Sequence, residues 1–180
     1  MGYADNPFAP ITEKERIVMN HLKTLLNRIS PENQQSIFSD LTGQAIPELS
    51  EWTSERETSN PVPDTVYLIG LSKHPPVDSN IELATKSGGG PIDLYSESKG
   101  VSVAIEGKTK ESLREDQLSR YATELNSDSY TIVSWSDLYR VFSKYKPKMH
   151  PYPSGLVDEF LAYLKQIQLR HCLDERNPTS

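Results

Sequence analysis

The stretch Pro91-Ile-Asp-Leu-Tyr-Ser-Glu-Ser-Lys-Gly-Val-Ser-Val-Ala-Ile-Glu-Gly-Lys108 has the most regular pattern in the chain. Two runs of alternating apolar and polar residues, 92–95 and 101–106, flank a polar segment that ends in Gly100. Such alternation around a short turn-forming segment is typical of a β-hairpin. The hairpin is therefore the element from which the rest of the fold is predicted.

The charged side chains of this hairpin are predicted to meet on one face. Side chains alternate across a strand, so Glu106 and Lys108 lie on the face opposite to Val103 and Ile105. On the first strand Asp93 is polar between apolar neighbours, and strand pairing can bring it beside Glu106. Carboxylates suit hard cations, and a nearby lysine can orient water or stabilise transition-state charge. The pattern predicts phosphodiester chemistry assisted by Mg²⁺ or Mn²⁺.

Alternatives to this interpretation stay open at the level of the residues. Glu106 and Lys108 could form a salt bridge on a solvated strand face, which would contribute little stability. Asp64 follows Pro63 directly before another predicted strand and competes with Asp93, provided that the two strands are neighbours. We prefer Asp93, because hairpin pairing alone brings it beside Glu106.

Outward from the hairpin, the chain reads as one domain with a single mixed sheet, an α/β class fold. Segment 44–63 is polar and irregular and is predicted to be a loop. The remaining predicted elements are an extended arm (1–11), a helical hairpin (12–43) with a Thr12/Glu15 capping box, a strand (65–70), a helix (about 111–126), a strand (130–133), a helix capped by Ser136-Asp137, and a last helix (154–170).

Composition excludes several classes of protein. The 180 residues carry a formal charge of −6, and no apolar run approaches the ~20 residues of a bilayer span, so no membrane role is expected. The N-terminus lacks a signal-peptide pattern, which predicts a cytoplasmic protein. The single Cys172 excludes an internal disulfide and a cysteine zinc site. Residue Ser102 stands where a P-loop ending at Lys108 would need its first glycine, so nucleotide hydrolysis is not expected.

An acidic chain can hold a polyanion only through a local basic groove. The cluster 144–148 has three lysines around a tyrosine and is equally consistent with nucleic-acid contact and with a solvated helix end. The last helix is apolar enough for the core or for an oligomer face, so a homodimer or a larger recognition subunit is an expected partner. The cations considered for the groove are Lys99, Lys110, Arg114, Arg120 and the lysines of 144–148.

The arrangement Pro91-Ile-Asp93, twelve residues, Glu106-Gly-Lys108 resembles the signature of the PD-(D/E)XK nuclease superfamily, with Pro-Ile-Asp in place of Pro-Asp. Some branches of that superfamily carry Gln-x-x-x-Tyr on the following helix, and this chain has Gln117-Leu-Ser-Arg-Tyr121. The resemblance covers about residues 65–135. It implies a restriction-endonuclease-like core over 64–146, with a central mixed sheet of about four strands flanked by helices, an N-terminal helical hairpin and C-terminal helices.

The resemblance also implies a role for each matching residue. Asp93 and Glu106 would hold Mg²⁺ or Mn²⁺, and the carbonyl of Gly107 would complete the inner shell. Lys108 would be catalytic, and Gln117 and Tyr121 would face the site from the helix.

A glutamate from the first helix often joins the site in that superfamily. Glu13, Glu15 and Glu32 are the candidates here, although the capping box already explains Glu15. The implied activity is a magnesium-dependent nuclease, with DNA as the favoured substrate and defence or repair as its setting. The alternatives are a non-catalytic module of this fold that binds a protein or nucleic acid, and a structural protein with coincidental charges.

Overall fold

A computed structural model of the chain describes residues 7–8, 14–57, 65–74, 91–110, 112–127 and 130–167. Two helices, α1 (Glu15–Leu26) and α2 (Pro31–Thr42), form the predicted helical hairpin. The Ser30 side chain accepts a hydrogen bond from the N–H of Asn33 and caps α2, as its sequence predicts.

The start of α1 differs from the prediction. The residue before the helix is Lys14, which makes no capping hydrogen bond with its side chain, and Glu15 is the first helical residue. The predicted capping box, with Glu15 three residues after its cap, is therefore wrong. Thr12 and most of the predicted arm over 1–11 lie outside the described residues.

In the part of the chain that the structure describes, the sheet has five strands in the order β1-β3-β4-β2-β5. It is mixed, because β1, β3 and β4 pair antiparallel while β2 runs parallel to both β4 and β5. The α/β class is thus confirmed, and the sheet has one strand more than expected. The strands are β1 (Thr53–Arg56), β2 (Thr65–Ser72), β3 (Ile92–Ser98), β4 (Val101–Gly107) and β5 (Tyr130–Ser134).

The additional strand, β1, lies in segment 44–63, for which the sequence predicts a loop. Its four residues are polar, and their side chains are alternately exposed and half-buried. An edge strand pairs on one side only and needs no apolar run, so hydrophobic patterning does not reveal it.

Three further helices lie in the described residues: α3 (Glu115–Glu124), α4 (Trp135–Tyr145) and α5 (Pro151–Gln166), with a 3₁₀ turn at Lys146–Lys148. Ser134 and Asp137 form a capping box at the start of α4, so that helix begins before the predicted Ser136. The last helix begins earlier than predicted as well, since proline is tolerated in a first helical turn. No helix in the described ranges has the length and apolar character needed to cross a bilayer.

Apolar side chains pack on both faces of the sheet. Val103 and Ile105 of β4 join the large cluster formed with α1, α2, α4 and α5, whereas Ala104 faces Tyr121 and the smaller cluster around α3. This alternation along β4 confirms the predicted division of its faces. The apolar residues of α5, Phe160 among them, are buried in the large cluster, so packing within this chain accounts for them. The homodimer or larger recognition subunit stays a prediction.

Candidate metal centre

The β3–β4 hairpin brings Asp93 and Glu106 to one end of the sheet. Leu94 lies opposite Ile105, so the next positions along the two strands are Asp93 and Glu106. The N–H of Gly107 donates a hydrogen bond to Asp93 Oδ2 over 2.8 Å, which fixes that carboxylate against the end of β4. The neighbouring placement predicted from the strand alternation is therefore what the structure has.

A third carboxylate comes from the first residue of α1. Glu15, Asp93 and Glu106 each offer one oxygen, and these oxygens lie within 4.8 Å of one another. Of the three first-helix candidates, Glu15 thus joins the cluster, Glu13 lies outside the described residues, and Glu32 is exposed in the first turn of α2. We call Glu15, Asp93 and Glu106 the acidic triad.

Lys108 lies against this triad. Its Nζ is 3.4 Å from Glu15 Oε1, and both side chains are largely shielded, with 19% and 35% of their surface exposed. Its backbone is held from two sides, because its N–H donates to the carbonyl of Leu71 and its carbonyl accepts from Trp135 Nε1 at 2.9 Å. The lysine therefore leaves the sheet at a fixed position beside the three acids.

The environment disfavours negative charge on the two strand carboxylates. Burial, followed by the charge of Asp93, raises the pKa of Glu106 well above its usual range. Burial also raises the pKa of Asp93 to about 6, against the opposing effect of the Gly107 N–H bond. Burial alone would lower the pKa of Lys108. The negative charges of Glu15 and the other acids have the larger combined effect and raise the pKa of Lys108 above its usual value. The triad therefore requires protons or a cation to balance its charge.

The donor set fits a hard divalent cation. Glu106 is only 4% exposed, and its Oε2 atom is buried with no hydrogen-bond partner among the described residues. A buried carboxylate oxygen without a partner is costly unless a ligand satisfies it. Three carboxylates within reach of one another are the oxygen ligands that Mg²⁺ and Mn²⁺ prefer.

The flanking helix α3 carries the predicted Gln117 and Tyr121. Gln117 Nε2 donates to Tyr121 Oη over 3.3 Å, and Tyr121 is 2% exposed. Burial, with a contribution from the charge of Glu106, raises the pKa of Tyr121 to about 12, so the phenol remains neutral. Gln117 and Tyr121 thus contact each other across one turn of α3. The charge of Glu106 acts on Tyr121.

Two residues that support the site were not identified from the sequence. Trp135 holds the Lys108 carbonyl, but the contact depends on β5 lying beside β2, which no local pattern reveals. Met19 packs on Gly107 so closely that a Cβ at position 107 would overlap the Met19 Sδ atom. Any larger residue between Glu106 and Lys108 would therefore have to displace the Met19 side chain.

The alternative acid Asp64 lies outside the described residues. The adjoining Thr65 pairs with Val101, whereas Gly70 pairs with Glu106, so β2 begins at the opposite end of β4 from the acidic triad. The sheet register therefore favours Asp93. The predicted role of the Gly107 carbonyl stays a prediction, since the recorded contact of Gly107 with the triad is made by its N–H.

Several of the cations predicted to form a basic groove contact the protein's own side chains, and the groove stays a prediction. Lys148 lies over the ring of Tyr145. Four of the cations form ion pairs: Arg114 with Asp116, Arg120 with Glu124, Lys144 with Asp40 and Lys146 with Asp158.

No protein-family model, curated protein or solved structure matches the chain.

Proposed function

We propose that the protein is a metal-dependent phosphodiesterase of the PD-(D/E)XK nuclease type that cleaves nucleic acid, with DNA as the favoured substrate. The observation that carries the proposal is the buried Glu106 Oε2, which has no partner among the described residues and lies within a triad of carboxylates beside a lysine. Most buried polar atoms in proteins have a hydrogen-bond partner, so this oxygen supports a site for a ligand.

Three of the residues would act as metal ligands, and Lys108 acts as a hydrogen-bond donor. Glu15, Asp93 and Glu106 would hold Mg²⁺ or Mn²⁺, which supplies a Lewis acid for the phosphate oxygen and an activated water. Lys108 is held by its backbone and keeps a charged ammonium group at the edge of the triad. It donates hydrogen bonds to the attacking water and to a non-bridging phosphate oxygen, where negative charge develops. Hydrolysis would form one phosphorus–oxygen bond to water and break the bond to the leaving sugar oxygen, which takes up the proton that the water loses.

Gln117 and Tyr121 contribute by position rather than by proton transfer. A phenol whose pKa is about 12 is a poor general base near neutrality, but it remains a hydrogen-bond donor. We therefore assign Gln117 and Tyr121 a positioning role on the side of the site where Glu106 lies.

The test compares Lys108→Met with Lys144→Met. Both substitutions remove one lysine charge, but Lys144 is exposed and pairs with Asp40 away from the triad. Supercoiled plasmid, single-stranded DNA and RNA are incubated with Mg²⁺, Mn²⁺ or EDTA. We expect cation-dependent cleavage that Lys108→Met lowers by about 100-fold or more while Lys144→Met leaves it unchanged.

Calorimetric titration of Mg²⁺ separates the enzyme from its alternative. Lys108→Met should still bind the cation, because lysine is not one of the ligands. Absence of cleavage of all three nucleic acids would overturn the proposal, and metal binding without cleavage would favour a non-catalytic module.

A further inference from the structure

A cleft opens beside the acidic triad, between α1 and the edge strand β1. Its cavity has a volume of about 250 Å³ and shares two walls, Glu15 and Asp93, with the triad. Whatever occupies the triad thus faces directly into the cleft. The residues that line its other sides and bear on its chemistry are Arg16, Asn20, Ser54 and Glu55.

One face of α1 carries cations along this cleft. Arg16, Asn20 and Lys23 are spaced four and three residues apart, so they follow one another along the same side of the helix. Lys23 Nζ reaches across to Ser54 Oγ on β1 at 3.2 Å. Arg16 and Lys23 are about 10 Å apart along the axis at 1.5 Å per residue, which is within the span of about three phosphates of a nucleic-acid strand.

Arg16 is easily exchanged to a new partner. Its Nε lies 3.8 Å from Glu55 Oε1, and the two side chains are 83% and 63% exposed. An ion pair that is long and solvated contributes little, so a phosphate can replace the glutamate at low cost. By contrast, Lys144 and Lys146 are 2.7 and 2.6 Å from their carboxylates. The ion pair of Arg16 is therefore weaker than those of Lys144 and Lys146, so Arg16 is more readily available to a phosphate than either lysine.

The size and chemistry of the cavity indicate an unpaired nucleotide. About 250 Å³ is below the ~300 Å³ at which pockets for whole drug-sized ligands begin, and it is too small for a base pair with its sugars. The Asn20 amide and the Ser54 hydroxyl offer both donors and acceptors to a base edge or a sugar.

We propose that the cleft between α1 and β1 binds one unpaired nucleotide next to the phosphate at the triad, with Arg16 and Lys23 on the strand's phosphates. The substrate class is thus nucleic acid that is single-stranded at the point of cleavage. This inference rests on the proposed function, since it takes the triad as the position of the reacting phosphate.

The test measures binding rather than cleavage. Fluorescence anisotropy is recorded for a labelled single-stranded DNA, the same sequence as RNA, and a blunt DNA duplex, with Ca²⁺ in place of Mg²⁺. Arg16→Gln is compared with Arg140→Gln, because Arg140 is also an exposed guanidinium in a long ion pair, 3.9 Å from Asp40. The two variants have the same net charge, and circular dichroism confirms that both are folded.

We expect Arg16→Gln to weaken binding of a single strand by about 10-fold at low salt and to lower the salt slope by about 0.7, as for one lost phosphate contact. Arg140→Gln should bind each probe with the same affinity as the parent protein. The parent protein should bind the DNA duplex more weakly than the single-stranded DNA or the RNA. Equal affinities of the two variants, or a duplex bound as tightly as a single strand, would overturn the inference. If single-strand binding depends on Arg16 but no nucleic acid is cleaved, the binding cleft stands and the nuclease function is rejected. If cleavage depends on Lys108 but binding does not depend on Arg16, the nuclease function stands and the binding cleft is rejected.

Discussion

Replacing Asp93 by asparagine should make the metal-free protein more stable and at the same time inactive. The pKa of Asp93 rises from 3.8 to about 6 on folding, chiefly through burial. At 1.36 kcal/mol per pKa unit, the ionised carboxylate costs ~3 kcal/mol of folding free energy at about pH 7. Asparagine has no charge to bury, and its side-chain oxygen can still accept the hydrogen bond from the Gly107 N–H.

The sign of the pH dependence follows from the same shift. Because the folded state holds the proton more tightly than the unfolded chain, stability from this group is greatest below its unfolded pKa of 3.8. It is lost as the pH rises toward about 6. The advantage of Asp93→Asn should therefore be absent at about pH 4 and reach ~1–3 kcal/mol at about pH 7.

Urea unfolding in EDTA at both pH values measures the effect, which corresponds to a midpoint shift of about 1 M. The matched control is Asp40→Asn, since the hydrogen bond from Lys144 lowers the pKa of Asp40 and its loss should destabilise the protein near neutrality. Added Mg²⁺ should stabilise the parent and not Asp93→Asn, which lacks one ligand. The reasoning is refuted if Asp93→Asn in EDTA is no more stable than the parent at about pH 7.

Two further perturbations test how Lys108 is positioned. Trp135→Phe removes the indole N–H that donates to the Lys108 carbonyl, and we expect a lower kcat with an unchanged KM. The control is Trp52→Phe, which loses a buried indole hydrogen bond to Gln34. The control should affect stability alone. Equal kcat values for the two variants would show that Trp135 contributes to packing and does not position Lys108 for catalysis. Gly107→Ala should destabilise the protein by ~1–3 kcal/mol in thermal unfolding, because its Cβ overlaps Met19, and Met19→Ala should restore part of the loss. Failure of the second substitution to compensate would show that the overlap is relieved elsewhere.

The sequence predicts the hairpin well because its signal is local. Alternation along β4 directly fixes which side chains share a face, and the structure places Asp93 next to Glu106 accordingly. Two of the three acids and the lysine of the candidate site could thus be named from 18 consecutive residues, 91–108.

The parts that escaped prediction depend on contacts between distant segments. Glu15 matched a capping pattern, and only the position of α1 against the hairpin shows that its carboxylate joins the triad. Trp135 reaches Lys108 because β5 pairs with β2, a neighbour relation that no spacing in the sequence encodes. The strand β1 is polar and lies at the sheet edge, so it carries no hydrophobic period.

The separation of Lys108 from Glu15 by 93 positions has a consequence for how the chain folds. During synthesis α1 emerges before the sheet, so the carboxylate of Glu15 gains its partners only after β3 and β4 have followed and β2 has paired with β4. Such non-local pairing closes large loops and is slow. The acidic triad is then among the last features to form, and a divalent cation bound there would stabilise the completed chain but not its partly folded precursors.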